Sequence, residues 1–173
     1  MKYIGISKIW YGDVFNAAVT AASLKTWLSS ATEVKNSHDG TWGYSQDDPT
    51  TEDYTNELTG KLYHRDITAA GNKTITWTMG EYDYADKVAL QGGTAIEESS
   101  TAIGWKSGDV AFVSKGVVAK TKTGNYVVFT NANITAKVDQ QQKALGLGVT
   151  AVAQENETTG VADEYWFTGT AVD

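Results

Sequence analysis

Hydrophobic and polar residues alternate along much of this chain, and residues 72–81 alternate between apolar side chains and threonines. Successive side chains of a β-strand point to opposite faces, so such a segment has two chemically different sides. The segment therefore predicts a strand with one apolar face and one threonine face. The apolar side chains and the threonines are, respectively, Ile75, Trp77 and Met79, and Thr74, Thr76 and Thr78.

A short helix over about residues 83–91 is predicted directly after this strand. The Asp83 carboxylate can accept hydrogen bonds from the free N–H groups of a first helical turn. Gly92 and Gly93 favour a helix end, because glycine readily enters the left-handed conformation. We expect the helix to cover the apolar face of the strand. The helix-covered core would then comprise Ile75, Trp77, Met79 and Val88.

Further segments with a period of two predict a mainly β fold. The most regular is 144–153, where Leu145, Leu147, Val149 and Ala151 share one face. An Asp39–Gly40 pair favours a tight hairpin between flanking strands. Residues 94–104 and 139–143 are polar and are predicted to be connections. Many short strands beside one short helix are typical of an antiparallel β-sandwich or β-barrel. The remaining predicted strands are 3–12, 31–46, 58–67, 109–122 (with Val110 and Phe112), 126–138 and 165–167.

Residues 14–29 are rich in alanine, and their pattern leaves the structure open. Apolar side chains recur there at spacings of three and four, which forms one stripe on a helix. A helix lying on a membrane would carry a basic polar face, whereas Lys25 is the only basic residue here. We interpret the segment as a helical or irregular cover of the protein's own core. The stripe is Val14, Ala17, Ala21, Leu24 and Leu28.

Residues 47–57 have an unusual composition, with five acidic residues, no basic residue and the only proline of the chain. Such a composition predicts a long exposed loop. Clustered carboxylates could bind calcium, but the spacing does not match the EF-hand loop. A solvated acidic loop is the favoured interpretation, and no metal site is predicted.

The length of 173 residues suits one domain spanning 1–173. A formal net charge of −7 disfavours ordinary binding to nucleic acid, because like charges repel. Cysteine is absent, which excludes a disulfide framework and a cysteine nucleophile. No run of apolar residues is long enough to span a membrane as a helix.

Catalytic motifs are missing from the sequence. The only histidines are His38, beside a turn, and His64, inside a predicted strand two residues before Asp66. Neither a serine elbow nor a zinc-binding His-Glu-x-x-His motif is present. We therefore expect neither enzymatic activity nor a cofactor.

The aromatic residues leave two interpretations open. Six Trp and nine Tyr could stack on sugars if several were exposed together on a β-sandwich. The chain would then be a carbohydrate-binding module. Alternatively, they fill the core or an interface between subunits, where Trp and Tyr are enriched.

The order of these parts resembles the major tail tube protein of long-tailed bacteriophages. Three stretches carry the resemblance: Trp42–Pro49 leading into the acidic segment, Ile75–Met79 followed by Tyr82–Gly93, and Val127–Ile134. The resemblance covers about residues 31 to 153. It implies that six copies form a ring and that rings stack into a hollow tube through which the genome leaves.

The resemblance also implies roles for particular residues. The loop contacts the neighbouring ring, and a polar sheet lines the channel. Implied partners are copies of the chain itself and other tail proteins such as the tape measure, tip and terminator, while DNA passes without specific binding. The implied location is the virion tail, after synthesis in the bacterial cytoplasm. The candidate inter-ring residues are Asp47, Asp48, Pro49, Glu52, Asp53, Tyr54 and Glu57, and the candidate lumen residues are Thr74, Thr76 and Thr78.

Overall fold

The computed structural model describes residues 2–109 and 112–173. With 51% strand and 13% helix, the fold is mainly β, which confirms the predicted class. In the described residues the strands are β1 (Lys8–Gly12), β2 (Thr32–Glu33), β3 (Asn36–Ser37), β4 (Gly43–Gln46), β5 (Thr50–Asn56), β6 (Lys61–Ala69), β7 (Lys73–Glu81), β8 (Thr94–Glu98), β9 (Thr101–Lys106), β10 (Val113–Lys120), β11 (Tyr126–Gln141), β12 (Ala144–Ala153) and β13 (Glu164–Phe167). The helices are α1 (Ala21–Ser30), α2 (Tyr84–Gln91) and α3 (Gly169–Val172).

The main sheet is antiparallel and curls into a half-barrel. Its strand order is β2-β1-β10-β11-β12-β7, and β3 and β4 both pair with the outer edge of β7. Strand β11 holds the sheet together because it is 16 residues long. Its first part pairs with β10 and β13, and its second part pairs with β12. Strands β5–β6 and β8–β9 form two separate hairpins.

Apolar residues lie on both faces of the part of the sheet formed by β1, β10 and β11. Ile9, Val117 and Val127 belong to one core, which also contains Trp77 and Leu90. The next residue of each strand belongs to a second core on the opposite face, beneath α1 and α3. This part of the sheet is covered on both sides, since its strands alternate between two apolar environments. The second-core residues on these strands are Trp10, Val118 and Val128.

Helix α1 settles the structure of the alanine-rich segment. Thr20 caps it by accepting a hydrogen bond from the Ser23 backbone, and the Ser23 side chain accepts from the Thr20 backbone. Leu24 is fully buried in the second core, while Ala17 is exposed. The helix is therefore a cover of the protein's own core, as interpreted from the sequence, although it begins only at Ala21.

Helix α2 confirms the prediction for residues 83–91. Asp83 accepts a hydrogen bond from the Asp86 N–H at 2.8 Å, and Asp86 accepts one from the Asp83 N–H at 3.0 Å. The two residues form a reciprocal capping box. Gly92 and Gly93 follow with φ values of 79° and 82°, as required to end the helix there.

Three local predictions are wrong, and the two that mistook strands for connections share one cause. Asp39–Gly40 forms a turn, but β3 and β4 pair with β7 instead of with each other. Residues 94–104 lie within the β8–β9 hairpin, and residues 139–143 continue β11 through a tight turn into β12. Polar strands lack the apolar alternation on which the prediction depends. The predicted strand residue Val110 lies outside the described residues.

Candidate functional site

The segment predicted to be a long loop is one half of a projecting hairpin, so that prediction is wrong. Strands β5 and β6 pair from Thr50 opposite Ala69 to Asn56 opposite Lys61. The base is closed by a backbone hydrogen bond from Asp47 N–H to the Asn72 carbonyl at 2.8 Å. We call residues 47–72 the arm. The strand escaped the sequence pattern because β5 is polar on both faces.

All seven candidate inter-ring residues lie in the arm. Three precede the first strand, three belong to it, and one begins the turn. The order along the chain is Asp47, Asp48 and Pro49, then Glu52, Asp53 and Tyr54, then Glu57.

The arm is exposed along its whole length, apart from Asn56 and Gly71, which are half-buried. Its side-chain hydrogen bonds stay within the arm. Arg65 donates to both carboxylate oxygens of Asp53, and this hydrogen bonding lowers the pKa of Asp53 below its ordinary value. The arm therefore has an ordered shape of its own but no cover from the body of the protein.

Large apolar side chains of the arm face solvent. Leu58, at the tip, is 95% exposed, and Ile67 is 70% exposed. Five such residues project from the arm, and they lie on both of its faces, because adjacent residues such as Leu62 and Tyr63 point to opposite sides of a strand. They are Tyr54, Leu58, Leu62, Tyr63 and Ile67.

The threonines of β7 belong to a polar face that extends across three strands. Thr76 lies opposite Thr150, which in turn lies opposite Thr135. In the next row, Thr78, Gly148 and Lys137 are aligned in the same way. A shallow cavity of about 420 Å³ follows these rows, with Asp139 also at its wall. The face therefore combines hydroxyl groups with one cation and one anion.

The three candidate lumen residues differ in exposure. Thr74 and Thr76 are half-buried, whereas Thr78 is only 5% exposed. The Thr78 backbone N–H donates to Thr41 Oγ1 at 3.0 Å, so the segment before β4 lies beside it. Thr74 and Thr76 are consequently the more accessible members of the predicted set.

The opposite face of β7 is the apolar face that the sequence predicted. Ile75, Trp77 and Met79 are at most 1% exposed. The prediction that Val88 belongs to the helix-covered core is corrected, because this α2 residue is only half-buried. Leu90 is the α2 residue that is fully buried in the core. The helix is turned so that Asp86 and Leu90, four residues apart, face inward.

A cleft between α1, α2 and the segment after β1 was not foreseen from the sequence. Its volume is about 680 Å³, and the stacked rings of Phe15 and Trp27, 4.7 Å apart, form one wall. At another wall Tyr11 donates a hydrogen bond to Asp86. Burial, together with this bond, raises the pKa of Tyr11 above its ordinary value.

The β8–β9 hairpin forms a second projection with exposed apolar residues. Ile96 is 48% exposed and Ile103 is 54% exposed. Trp105, at the base, donates a hydrogen bond to the Gly92 carbonyl and lies under the Lys87 ammonium group at 3.9 Å. These contacts fix the hairpin to the end of α2.

The two histidines lie in different parts of the protein. His64 pairs with Asp66 at 2.7 Å on the exposed arm, while His38 lies beside Gly80. Within residues 2–109 and 112–173, no group of three His, Cys, Asp or Glu residues could hold a metal ion. Over the same residues, each helix is too short or too polar to cross a bilayer.

A scan against models of protein families gives no match, and a search of curated proteins gives no significant match.

Proposed function

We propose that this chain is a structural subunit that assembles with its own copies into stacked rings, forming the tail tube of a long-tailed phage or prophage. The arm is the observation that carries the proposal. An isolated two-stranded hairpin is at best marginally stable in water. This hairpin also leaves its backbone edges and apolar side chains uncovered, which invites pairing with another chain.

The partner we assign to the arm is a second copy of the chain. The arm differs from the remaining surfaces of the protein, so contact between an arm and another surface is head-to-tail. Repeated head-to-tail contacts generate closed rings or open helical filaments. Six copies per ring follow from the resemblance to tail tube proteins, as do contacts with the tape measure, tip and terminator proteins.

The threonine face supports a channel for DNA. A polymer that must slide needs a wetted wall without a track of basic residues, because each phosphate contact releases counterions and holds the DNA. On this face Lys137 is accompanied by Asp139. In the proposed tube the face lines the lumen, and the subunit works in the virion tail without catalysis or a cofactor.

A carbohydrate-binding module would need several exposed aromatic rings in one row. All six tryptophans lie in the described residues, and Trp166 alone among them is exposed. The exposed tyrosines are divided between the arm and α2: Tyr54, Tyr63 and Tyr84. This distribution favours the tube subunit.

Negative-stain electron microscopy of the purified protein over a range of concentrations, beside light scattering for mass, tests the proposal. We expect rings or tubes with a central hole. A triple variant, Leu58→Ser, Leu62→Ser and Ile67→Ser, should remain monomeric at concentrations where the parent assembles. The matched control is Thr51→Ser with Thr59→Ser, which alters two polar residues of the arm and leaves its apolar side chains in place. Monomers at every concentration, combined with strong binding on a glycan array, would overturn the proposal in favour of the sugar-binding module.

A further inference from the structure

Five lysines gather at one end of β1 and β10, although the chain as a whole is acidic. Lys8 lies opposite Lys120 in the strand pairing. The Lys122 backbone N–H donates to the Ile4 carbonyl, and the Lys2 carbonyl accepts from the Asn125 side chain. Lys25 joins them because its ammonium group donates to the backbone carbonyl of Asp173, the residue that also pairs with Lys120. We call this group the lysine patch: Lys2, Lys8, Lys25, Lys120 and Lys122.

Acidic residues neutralise only part of the lysine patch. Glu33 pairs with Lys8 at 2.9 Å, and Asp173 pairs with Lys120 at 2.6 Å. Among the described residues, the Lys2 and Lys122 ammonium groups have no carboxylate within 4.0 Å. Neighbouring like charges repel one another, so an anionic group that covers the patch would reduce the repulsion among its lysines.

The arm carries an excess of negative charge. Between residues 47 and 72 the sequence contains six carboxylates but only Lys61 and Arg65 as permanent cations. Arg65 is already paired with Asp53. The arm's carboxylates without an ion pair in the described structure are Asp47, Asp48, Glu52 and Glu57.

The two surfaces also match in their apolar residues. Leu58 follows Glu57 at the tip of the arm, and Ile4, 59% exposed, is two residues from Lys2 and accepts a backbone hydrogen bond from Lys122. Protein interfaces commonly combine an apolar centre with a polar, charged rim. Electrostatic complementarity of this kind fixes register and accelerates association.

We propose that the lysine patch of one copy receives the acidic arm of another copy. This inference rests on the proposed self-assembly and specifies the surface that receives the arm. Glu52 and Glu57 face the ammonium groups of Lys2 and Lys122, and Leu58 packs against Ile4. Since patch and arm are different surfaces, the contact is head-to-tail and leaves the joined pair with one free arm and one free patch to engage further copies.

Charge reversal in both surfaces provides the first test. Glu52→Lys with Glu57→Lys makes an arm variant, and Lys2→Glu with Lys122→Glu makes a patch variant. Each alone should associate roughly ten-fold or more weakly than the parent, since several exposed charge pairs become repulsive. Mixing the two variants should restore association, because every arm then meets a patch of opposite charge. Sedimentation velocity at low and high salt measures both effects.

Disulfide trapping provides the second test. Because the chain contains no cysteine of its own, only the introduced cysteines can form a disulfide. A Leu58→Cys variant mixed with an Ile4→Cys variant should form a cross-linked heterodimer under mild oxidation. The matched control replaces Ile4→Cys with Ala102→Cys, an exposed position on the β8–β9 hairpin, which contains no residue of the patch. Trapping in the control to the same extent would overturn the assignment.

The outcomes separate this inference from the proposed function. Tubes that persist in both charge-reversed variants, without preferential trapping, would overturn the lysine patch as acceptor and leave the tube proposal intact. Preferential trapping and rescue without rings or tubes would support the arm–patch contact and count against the tube. A parent that neither associates nor traps preferentially at high concentration overturns the inference.

Discussion

Tyr11 donates a hydrogen bond from its hydroxyl to Asp86 Oδ1 at 2.5 Å, joining β1 to α2 across 75 positions of sequence. Asp86 is only 7% exposed, so water offers its carboxylate little compensation if the tyrosine hydroxyl is removed. Hydrogen bonds to charged groups contribute about 1.5–3 kcal/mol to stability. We expect Tyr11→Phe to lower the free energy of unfolding by about that amount, measured by urea denaturation.

Tyr84→Phe is the matched control, because Tyr84 is exposed on α2 and removal of its hydroxyl should change stability by less than about 0.5 kcal/mol. Equal losses in the two variants would show that the Tyr11–Asp86 bond contributes nothing of its own.

The same bond predicts a dependence on alkaline pH. Burial and Asp86 raise the pKa of Tyr11, so the folded protein keeps a proton that the unfolded chain releases above its ordinary pKa of 10.0. The stabilisation is complete below pH 10 and is lost as the pH rises further. The stability difference between the parent and Tyr11→Phe should therefore shrink above pH 10, and a constant difference would contradict this assignment.

Asp83 should stabilise α2 through its capping bond. The Asp86 N–H, and then the Lys35 ammonium group, lower the pKa of Asp83. Replacement by alanine should cost about 1 kcal/mol, while asparagine, itself a good cap, should cost less. The advantage of aspartate over asparagine is present above the unfolded pKa of 3.8 and fades as the pH falls through the lower folded value. Thermal unfolding of the three proteins at pH 7 and pH 3 measures this, and an advantage undiminished at pH 3 would exclude a role for the charge.

Leu90 and Val88 lie two residues apart on α2 but in different environments. Leu90 is fully buried, so Leu90→Ala should cost about 2–5 kcal/mol through lost transfer energy and the cavity left behind. Val88 is half-buried, and Val88→Ala should cost far less. Chemical denaturation of both variants compares them under the same conditions. A larger loss at Val88 would mean that α2 is turned differently on the sheet.

Removal of the arm should leave the stability of the rest of the protein almost unchanged. Its side-chain hydrogen bonds are internal, and its apolar residues are exposed. Replacing residues 50–69 with a short Gly-Ser linker should change the free energy of unfolding of the monomer by less than about 0.5 kcal/mol, as for other surface changes. Collapse of the fold in this variant would instead show that the arm supports the core. The arm would then not serve as a projection for a partner.

Basic residues on the threonine face should make DNA adhere. Thr76→Lys with Thr135→Lys places two further cations on the strands either side of β12, on the face that carries Lys137. Binding of double-stranded DNA should increase and should weaken steeply with added salt, because phosphate contacts release counterions. Gel-shift titration measures the change, and the corresponding serine variants are the control. Tight DNA binding by the parent itself would count against a channel through which DNA slides.

The sequence by itself determined the elements whose signals are local. The alternation in 72–81 and 144–153 placed β7 and β12 and separated their apolar and threonine faces, because a period of two is inherent in any strand. Asp83 and the two glycines marked both ends of α2, since capping involves only residues within one turn. The same periodicity could not orient α2, and Leu90 rather than Val88 proved to be the buried residue.

The tertiary structure decided what depends on residues far apart in sequence. Strand β5 is polar enough to resemble a loop, and only its pairing with β6, the strand predicted at 58–67, shows an arm. The lysine patch combines residues 2–25 with residues 120–122, and the Tyr11–Asp86 bond spans 75 positions. Such contacts arise when the sheet curls and brings distant segments together. The pattern of hydrophobic and polar residues in either segment does not indicate them. For that reason local pattern predicted the class and the central strands, while the surfaces available to a partner required the folded chain.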